Sequence, residues 1–548
     1  DDVDDTGSDI ATPAVHILPA ALHGKTIVTQ PRCVRGDRKQ DEEVERWSAH
    51  PRGVRVARDY PNRMMLGASS ILTGSICLLA FGGCIQTPTT ADHAEPLCTV
   101  PDDLAAEFGE IELTQSDTIS TVFRVAWSPD ETGTSWIRYG LPGASGETIA
   151  ASAHDEGTEA LLLGLKASTS YEYQLIQETD EGDFCTEPSS FTTGALPVEL
   201  PFFDFQLYRS SEAAAGYTIV PANDDLGEAP FITILDGDGD PVWFYSRRSS
   251  RSRLSLDGEF MLTLTESIGP KHPGGIDKIR LDGSEVISVP QKGIHMDFVE
   301  VEPGVYASFT WDVRTYDDGS RSIAGERIVE FSGEGEEREV WNIHDYFQPD
   351  TTDEFNHDIP CCPEKENWVH LNFLHYSAEE DAYYLSSRYR RAVYKVDRTT
   401  GALVWTLTGR NDDGVNDFRY PKKEEFDFNP HSAMPIEGGL LIFDSGGPSS
   451  GGCSAAVELG LSTELWTVEG LGYYATEDCQ VSHQMGNATE LWNGNRTIVL
   501  ATNGQIDEFN PHHDLVSRLV VSQGYWLGFS HRVQELYPLD TIRRTSTQ

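Results

Sequence analysis

The sequence predicts an all-β protein: a six-bladed β-propeller over residues 198–540, preceded by a small β-sandwich over 108–197. Three observations predict it. First, Trp368 to Gly409 reads as three or four short alternating strands joined by tight turns. They are Trp368-Val369-His370-Leu371-Asn372, a run ending Tyr384-Leu385-Ser386-Ser387-Arg388, then Ala392 to Asp397, a turn at Thr399-Thr400-Gly401, and Val404-Trp405-Thr406-Leu407. Second, the opening phrase recurs on both sides, as His295-Met296-Asp297-Phe298-Val299 and as His431-Ser432-Ala433-Met434-Pro435. Third, the turn-then-Trp phrase Gly401 to Trp405 recurs at Asp240 to Trp243 and at Ser462 to Trp466. Repeats of about 40–50 residues with four strands each are the mark of propeller blades. Blades radiate about one axis, so equivalent positions of different blades surround it. His295, His370 and His431 each open a repeat and are expected to converge at one mouth of the channel. The repeat from Gly486 to Thr502 keeps the strand and the Asn493-Gly494 turn but carries Met485 and Gly486 where the others carry His.

In chain order, residues 1–63 read as a disordered leader: little periodicity, and arginines spread among prolines and polar residues. Whether they belong to the mature protein is left open. Met64 to Cys84 is uncharged and apolar and ends Ala80-Phe81-Gly82-Gly83-Cys84, which resembles a bacterial lipoprotein signal with Cys84 as the lipid-bearing residue. This implies export to the periplasm or outer membrane and attachment to a membrane through Cys84. A tether over 85–107 follows. In 108–197, Val122 to Trp127 and Ser135 to Tyr139 alternate as sandwich strands. Leu163 to Tyr173 resembles the tyrosine-corner strand of a fibronectin type III domain, so the unit is expected to be fibronectin type III-like. From Cys84 onward there are seven cysteines. With Cys84 lipidated, six remain, an even number in an exported chain. Cys453 with Cys479 is the preferred disulfide and Cys98 with Cys185 a second. Adjacent Cys361 and Cys362 form a strained bridge or stay free.

The 548 residues carry a net charge of −47, and nearly all of it lies after residue 83, where 31 basic side chains face 77 acidic ones. Such a surface repels nucleic acid and anionic membranes. An anionic substrate must therefore meet a local cluster of cations. Rival motifs are weak. Asp236-Gly237-Asp238-Gly239-Asp240 lacks the remaining spacing of a calcium loop and reads as a turn. Gly447 to Gly451 matches Gly-x-Ser-x-Gly around Ser449, but a glycine turn and a strand follow where a nucleophile elbow needs a helix. His512-His513-Asp514 reads as a solvated loop, His375 as an ordinary strand residue, and no phosphate-binding loop is complete.

His370-Leu371-Asn372, with Tyr384 to Arg388 and Tyr394 to Trp405, resembles the bacterial arylsulfate sulfotransferases. So does Phe426 to Ala433 followed by Leu441 to Gly446. The resemblance covers roughly residues 200–540. It implies sulfuryl transfer from an aryl sulfate donor to a phenolic acceptor, without nucleotide, metal or other cofactor, through a sulfated histidine. The residue types suit that chemistry. An imidazole can attack sulfur, an arginine fork can hold the oxyanion, and further histidines can shuttle protons. Carried over by motif, His431 is the nucleophile, Arg388 clamps the sulfate, His295 and His370 stabilise charge and protonate the leaving oxygen, and Asn372 orients them. Thr502 is expected to line the site. A homodimer is the oligomer carried forward. Two alternatives stand beside this reading: a metal-dependent propeller hydrolase using Asp297 and Asn372, and a surface-anchored binding module without catalysis.

Overall fold

The computed structural model describes Cys98, Val100, Pro101 and residues 108–542 apart from short internal segments, the longest being 129–133, 268–273, 351–354, 360–364, 410–414, 422–425 and 447–450. The leader, Cys84, most of the tether, Cys361, Cys362 and Ser449 lie outside the described residues.

All but one short helix and two single-turn 3₁₀ segments of the described structure is strand, turn or loop. Two sheets come first, in strand order Glu112–Gln115, Phe123–Trp127, Gly157–Leu162, Ser152–His154, and Glu147–Ala150, Thr134–Gly140, Ser170–Thr179, Gly182–Cys185, with Ser189–Thr192 also on Ser170–Thr179. Burial alternates residue by residue in Phe123–Trp127 and Thr134–Gly140. That is the period-two pattern of strands with one wet face. Trp127, Ile137, Tyr139, Leu162, Tyr171 and Leu175 fill the space between the sheets. The Tyr171 hydroxyl accepts the Lys166 N–H at 2.8 Å, five residues upstream.

Six sheets of four or five strands follow, antiparallel except where the two-residue strand Glu366–Asn367 pairs parallel with Arg321–Ser332, a propeller-like arrangement. Several of their central strands bury every residue, among them Phe231–Leu235, Ala382–Ser387 and Arg496–Leu500. Each sheet packs on a neighbour over both faces, so alternation disappears there. The apolar core is accordingly divided into wedges between successive sheets, such as Phe309, Ile328, Leu374 and Leu385 in one and Val393, Leu407, Ala433 and Val457 in the next. The opening strands touch in series: Ile294–Glu302 on Leu371–Ser377, that on Pro430–Ile436, and that on Asn487–Glu490. Two strand additions join the chain's ends. Phe203–Leu207 adds to the outside of the last sheet by pairing with Leu515–Val521, while Tyr525–Leu527 and His531–Val533 pair with Tyr217–Asp224 of the first. Both remove open strand edges, which are otherwise templates for aggregation.

The acidic turn Asp236 to Asp240 does not face empty solvent. Lys166 Nζ lies 3.1, 2.7 and 2.7 Å from carboxylate oxygens of Asp236, Asp238 and Asp240. An ammonium from the sandwich thus occupies the centre of the acidic triplet and ties the two units together. The expected pairs Cys453–Cys479 and Cys98–Cys185 are both disulfide-bonded. The first closes a loop of 26 residues, a cross-link that stabilises by roughly 3–4 kcal/mol on loop-entropy grounds. Disulfides persist in oxidising compartments, which suggests an extracytoplasmic protein. Among the described residues no helix is long and apolar enough to cross a membrane.

Candidate active site

Three opening strands carry a β-bulge near their start. Register slips between His295 and Phe298, between Leu371 and Phe373, and between Pro430 and Ser432. A bulge leaves a residue out of the ladder and re-aims its side chain. The left-out residues are Met296 and Asp297 in the first strand, Asn372 in the second and His431 in the third. The histidines therefore do not share one register position, contrary to the repeat phrasing. His295 and His370 stand two residues before Asp297 and Asn372, whereas His431 is itself the bulged residue. Periodicity alone does not see a bulge, so the sequence alignment of the three slipped by two. The backbone turns sharply here, with positive φ at Met296, His370 and Met485 (65°, 52° and 60°). Such conformations persist where surrounding packing holds them.

His431 is buried, and its Nδ1 lies 3.1 Å from the Gly486 carbonyl. A carbonyl only accepts, so Nδ1 carries the hydrogen and Nε2 keeps its lone pair. Burial, then the charges of Arg251, His370 and Arg388, push His431 down to about 3, although the bond to Gly486 works the other way. His431 is thus a neutral imidazole among cations, which is the state a nucleophile needs. Gly486, which looked like a lost histidine position, supplies the carbonyl that orients it. A Cβ there would lie 2.6 Å from the Phe443 ring and 2.8 Å from the Val499 carbonyl, and its φ is 92°. Only glycine fits.

Arg388 follows the buried strand Ala382–Ser387, is exposed, and donates its backbone N–H to the His370 carbonyl at 3.0 Å. Its guanidinium lies 5.9 Å from the Tyr389 ring centre, and Tyr389 in turn lies 4.9 Å from the His370 ring. An exposed guanidinium thus stands near a buried imidazole, placing positive charge where an anion can reach it. Asn372 is fully enclosed. Its amide donates to the Pro430 carbonyl at 3.1 Å and its oxygen accepts the Ser386 hydroxyl at 2.6 Å. These bonds join the His370 strand to the residue preceding His431. His295 stacks on Trp311 with ring centres 3.7 Å apart and planes 3° from parallel, with Nδ1 2.9 Å from the Gly293 carbonyl. Thr502 is exposed and hydrogen-bonds Ser482 and Asn503.

Sequence reasoning missed Arg251 and Glu326. Arg251 is buried and donates to the Asn372 and Ser250 carbonyls at 3.1 and 3.0 Å. Its Nε lies 3.2 Å from Asp297 Oδ1, which also lies 3.2 Å from Arg253 Nη2. Asp297 further accepts the Phe298 and Leu374 N–H groups. With two guanidiniums and two amides on it, this carboxylate is committed, which argues against its serving as a metal ligand. The missed signal was Arg247-Arg248-Ser249-Ser250-Arg251-Ser252-Arg253: four arginines in seven residues of a strongly acidic chain. His375 and His531 lie in the same buried network, pushed down by burial and Arg253 to about 4 and about 3. Both are half-buried strand residues, as expected for His375. His513 is exposed and stacks on Tyr474, with ring centres 4.3 Å apart.

Solved structures similar to the chain include a protein of unknown function from Bacteroides caccae (13% identity, TM-score 0.34, covering 59% of this chain and 100% of that one). They also include the β-propeller domain of Myceliophteria thermophila Cps50 (Swd1) (10%, 0.32, 58% and 89%) and a streptogramin B lyase (11%, 0.31, 60% and 98%). No curated protein matches the chain. A family model does match, and the residues it spans include Arg251, His295, Glu326, His370, Arg388 and His431. Over residues 206–455 the chain belongs to the arylsulfotransferase (ASST) family.

Proposed function

We propose that the protein moves a sulfuryl group from an aryl sulfate ester to a phenolic acceptor, without a nucleotide, through a sulfohistidine formed on His431. The observation that carries this is the neutral, Nδ1-fixed His431 imidazole on a bulge beside Arg251, His370 and Arg388. Family membership suggests the activity, and the geometry supports the roles. His431 Nε2 attacks sulfur. Arg388 and Arg251 offset the charge on the sulfuryl oxygens, since fixed cations in a site shielded from water act where charge develops. His370 and His295 handle the phenolic proton, and Asn372 braces the strand between them. In this reading Thr502 lines the site. Incubation with a chromogenic aryl sulfate, with and without phenol, tests it: phenol should accelerate release of the chromophore. Release that ignores the acceptor would sink the transfer reading.

Arg388→Lys should lower turnover by about 10²–10³-fold and raise KM for the donor. A lysine keeps the charge but loses the planar two-pronged contact with an oxyanion. Steady-state kinetics over donor concentration check this; a Lys variant within threefold of the parent removes Arg388 from the clamp.

The reading extends to the architecture. We take the six sheets over 198–540 as a six-bladed propeller, which the serial packing and the double closure support. We take 108–197 as a fibronectin type III-like sandwich, which the two facing sheets and the Tyr171–Lys166 bond support. We further propose that Cys84 is lipidated and anchors the protein in the periplasm or outer membrane, with a homodimer as the working oligomer. Cys84→Ser should move the protein from the membrane pellet to the soluble fraction; a variant that still pellets rejects the anchor.

A further inference from the structure

Glu326 lies on the strand Arg321–Ser332, directly opposite Trp311, and is fully buried. One carboxylate oxygen accepts the Leu371 N–H at 3.1 Å. The same oxygen is 3.7 Å from His295 Nε2. The second carboxylate oxygen and His295 Nε2 are both buried without a hydrogen-bond partner. His295 cannot turn away: its ring lies flat on Trp311, and its Nδ1 is spent on the Gly293 carbonyl. The carbonyl accepts, so Nδ1 carries a hydrogen. What stands on Nε2 then decides the pair. A bare lone pair there would face a carboxylate, leaving two buried polar groups unsatisfied and mutually repulsive. A hydrogen on Nε2 turns the same contact into an imidazolium–carboxylate pair. His431 has the same carbonyl-fixed Nδ1 but faces cations, and so keeps its Nε2 lone pair. Two histidines with one tautomer lock and opposite surroundings are a division into base and acid.

We infer that Glu326 is the positioning residue that holds the transferable proton on His295 Nε2, making His295 the acid for the departing phenolate. The inference rests on the sulfotransferase reading. In the first half-reaction His431 Nε2 forms a bond to sulfur, the aryl O–S bond breaks with its electron pair going to the phenolic oxygen, and that oxygen takes the proton from His295 Nε2. Products are a neutral phenol, neutral His295 and the N-sulfo group on His431. In the second, the acceptor oxygen forms the bond to sulfur and its proton passes to His295 Nε2. The N–S bond breaks and returns its electron pair to His431. Glu326 stays ionised throughout and touches no reacting atom.

Glu326→Gln keeps size and can still accept the Leu371 N–H, but its amide would leave Nε2 unprotonated. Sulfo-enzyme formation is measured in single turnover with phenyl sulfate and with 4-nitrophenyl sulfate. Loss of an acid matters most for the more basic leaving group. The variant is expected to lose about 10²–10³-fold with phenyl sulfate and less than about tenfold with 4-nitrophenyl sulfate. A merely structural glutamate would slow both donors alike, so parallel losses, or none, overturn the inference and leave the sulfotransferase reading standing. Failure of the parent protein to transfer from either donor overturns that reading and this inference with it. Should the variant not fold, long-range ¹H–¹⁵N spectra of the parent at neutral pH serve instead. One imidazolium signal, absent in His295→Gln, is expected; a neutral His295 ring overturns the inference.

Discussion

His431→Asn abolishes transfer, a loss of at least about 10⁴-fold, while the protein stays folded. Removing a nucleophile typically leaves only residual rate from binding and charge stabilisation. Asparagine can still donate to the Gly486 carbonyl, so the bulge keeps its anchor, but it has no ring nitrogen to carry the sulfuryl group. Donor-only incubation of the parent followed by mass spectrometry should place one sulfuryl group on the peptide containing His431, and none in the variant. The mass on Ser449 or on another histidine would overturn the assignment. The depressed titration of His431 adds a pH signature. A lowered value means the neutral, attacking form persists as pH falls through the usual histidine range and is lost only near pH 3. Sulfation of the enzyme by donor should therefore show no acid limb near pH 6.5; a clear limb there would mean that His431 titrates like a solvated histidine.

Asp297→Asn costs about 3–5 kcal/mol of stability, because breaking a buried ion pair leaves uncompensated charge. The carboxylate is shared by Arg251 and Arg253, and Arg251 is only 2% exposed. Without it two neighbouring guanidiniums, 5.4 and 4.7 Å from the centre of the Phe529 ring, lose their shared anion. An amide can satisfy the Leu374 or Phe298 N–H but cannot neutralise either cation. Urea unfolding of parent and variant measures the difference. A loss under about 1 kcal/mol would show that the arginines reach other anions or water, and would reopen Asp297 as a free ligand.

How much of this was legible beforehand varies with the range of the interaction. The all-β class, the repeating blades and the sandwich followed from alternation and turn residues, which are local. Counting cysteines gave an even number and no pairing; Cys453–Cys479 was preferred because both lie in the excursion after His431, Cys98–Cys185 was a second possibility, and the structure shows both. His295, His370, Asn372, Arg388 and His431 were legible as types because their phrases repeat and resemble a family. The resemblance also implied a division of labour among them, but not the geometry around each ring. That His431 is a bulged residue, offset from the other two histidines, depends on a register slip against Gly439–Ser445, and a slip leaves no mark in a hydrophobic pattern. Gly486 looked like a diverged position because its contribution is a carbonyl, which every residue has.

Sequence by itself determined the elements, the acidic surface and the residue types gathered at the site, since propensity, pattern and charge are properties of neighbours along the chain. Only the tertiary structure decided what surrounds each histidine ring. Protonation is set by what faces each ring nitrogen: Arg251, Arg388 and His370 around His431, and Glu326 against His295. Those partners arrive from strands distant in sequence, and electrostatic energy depends on separation in space and on burial.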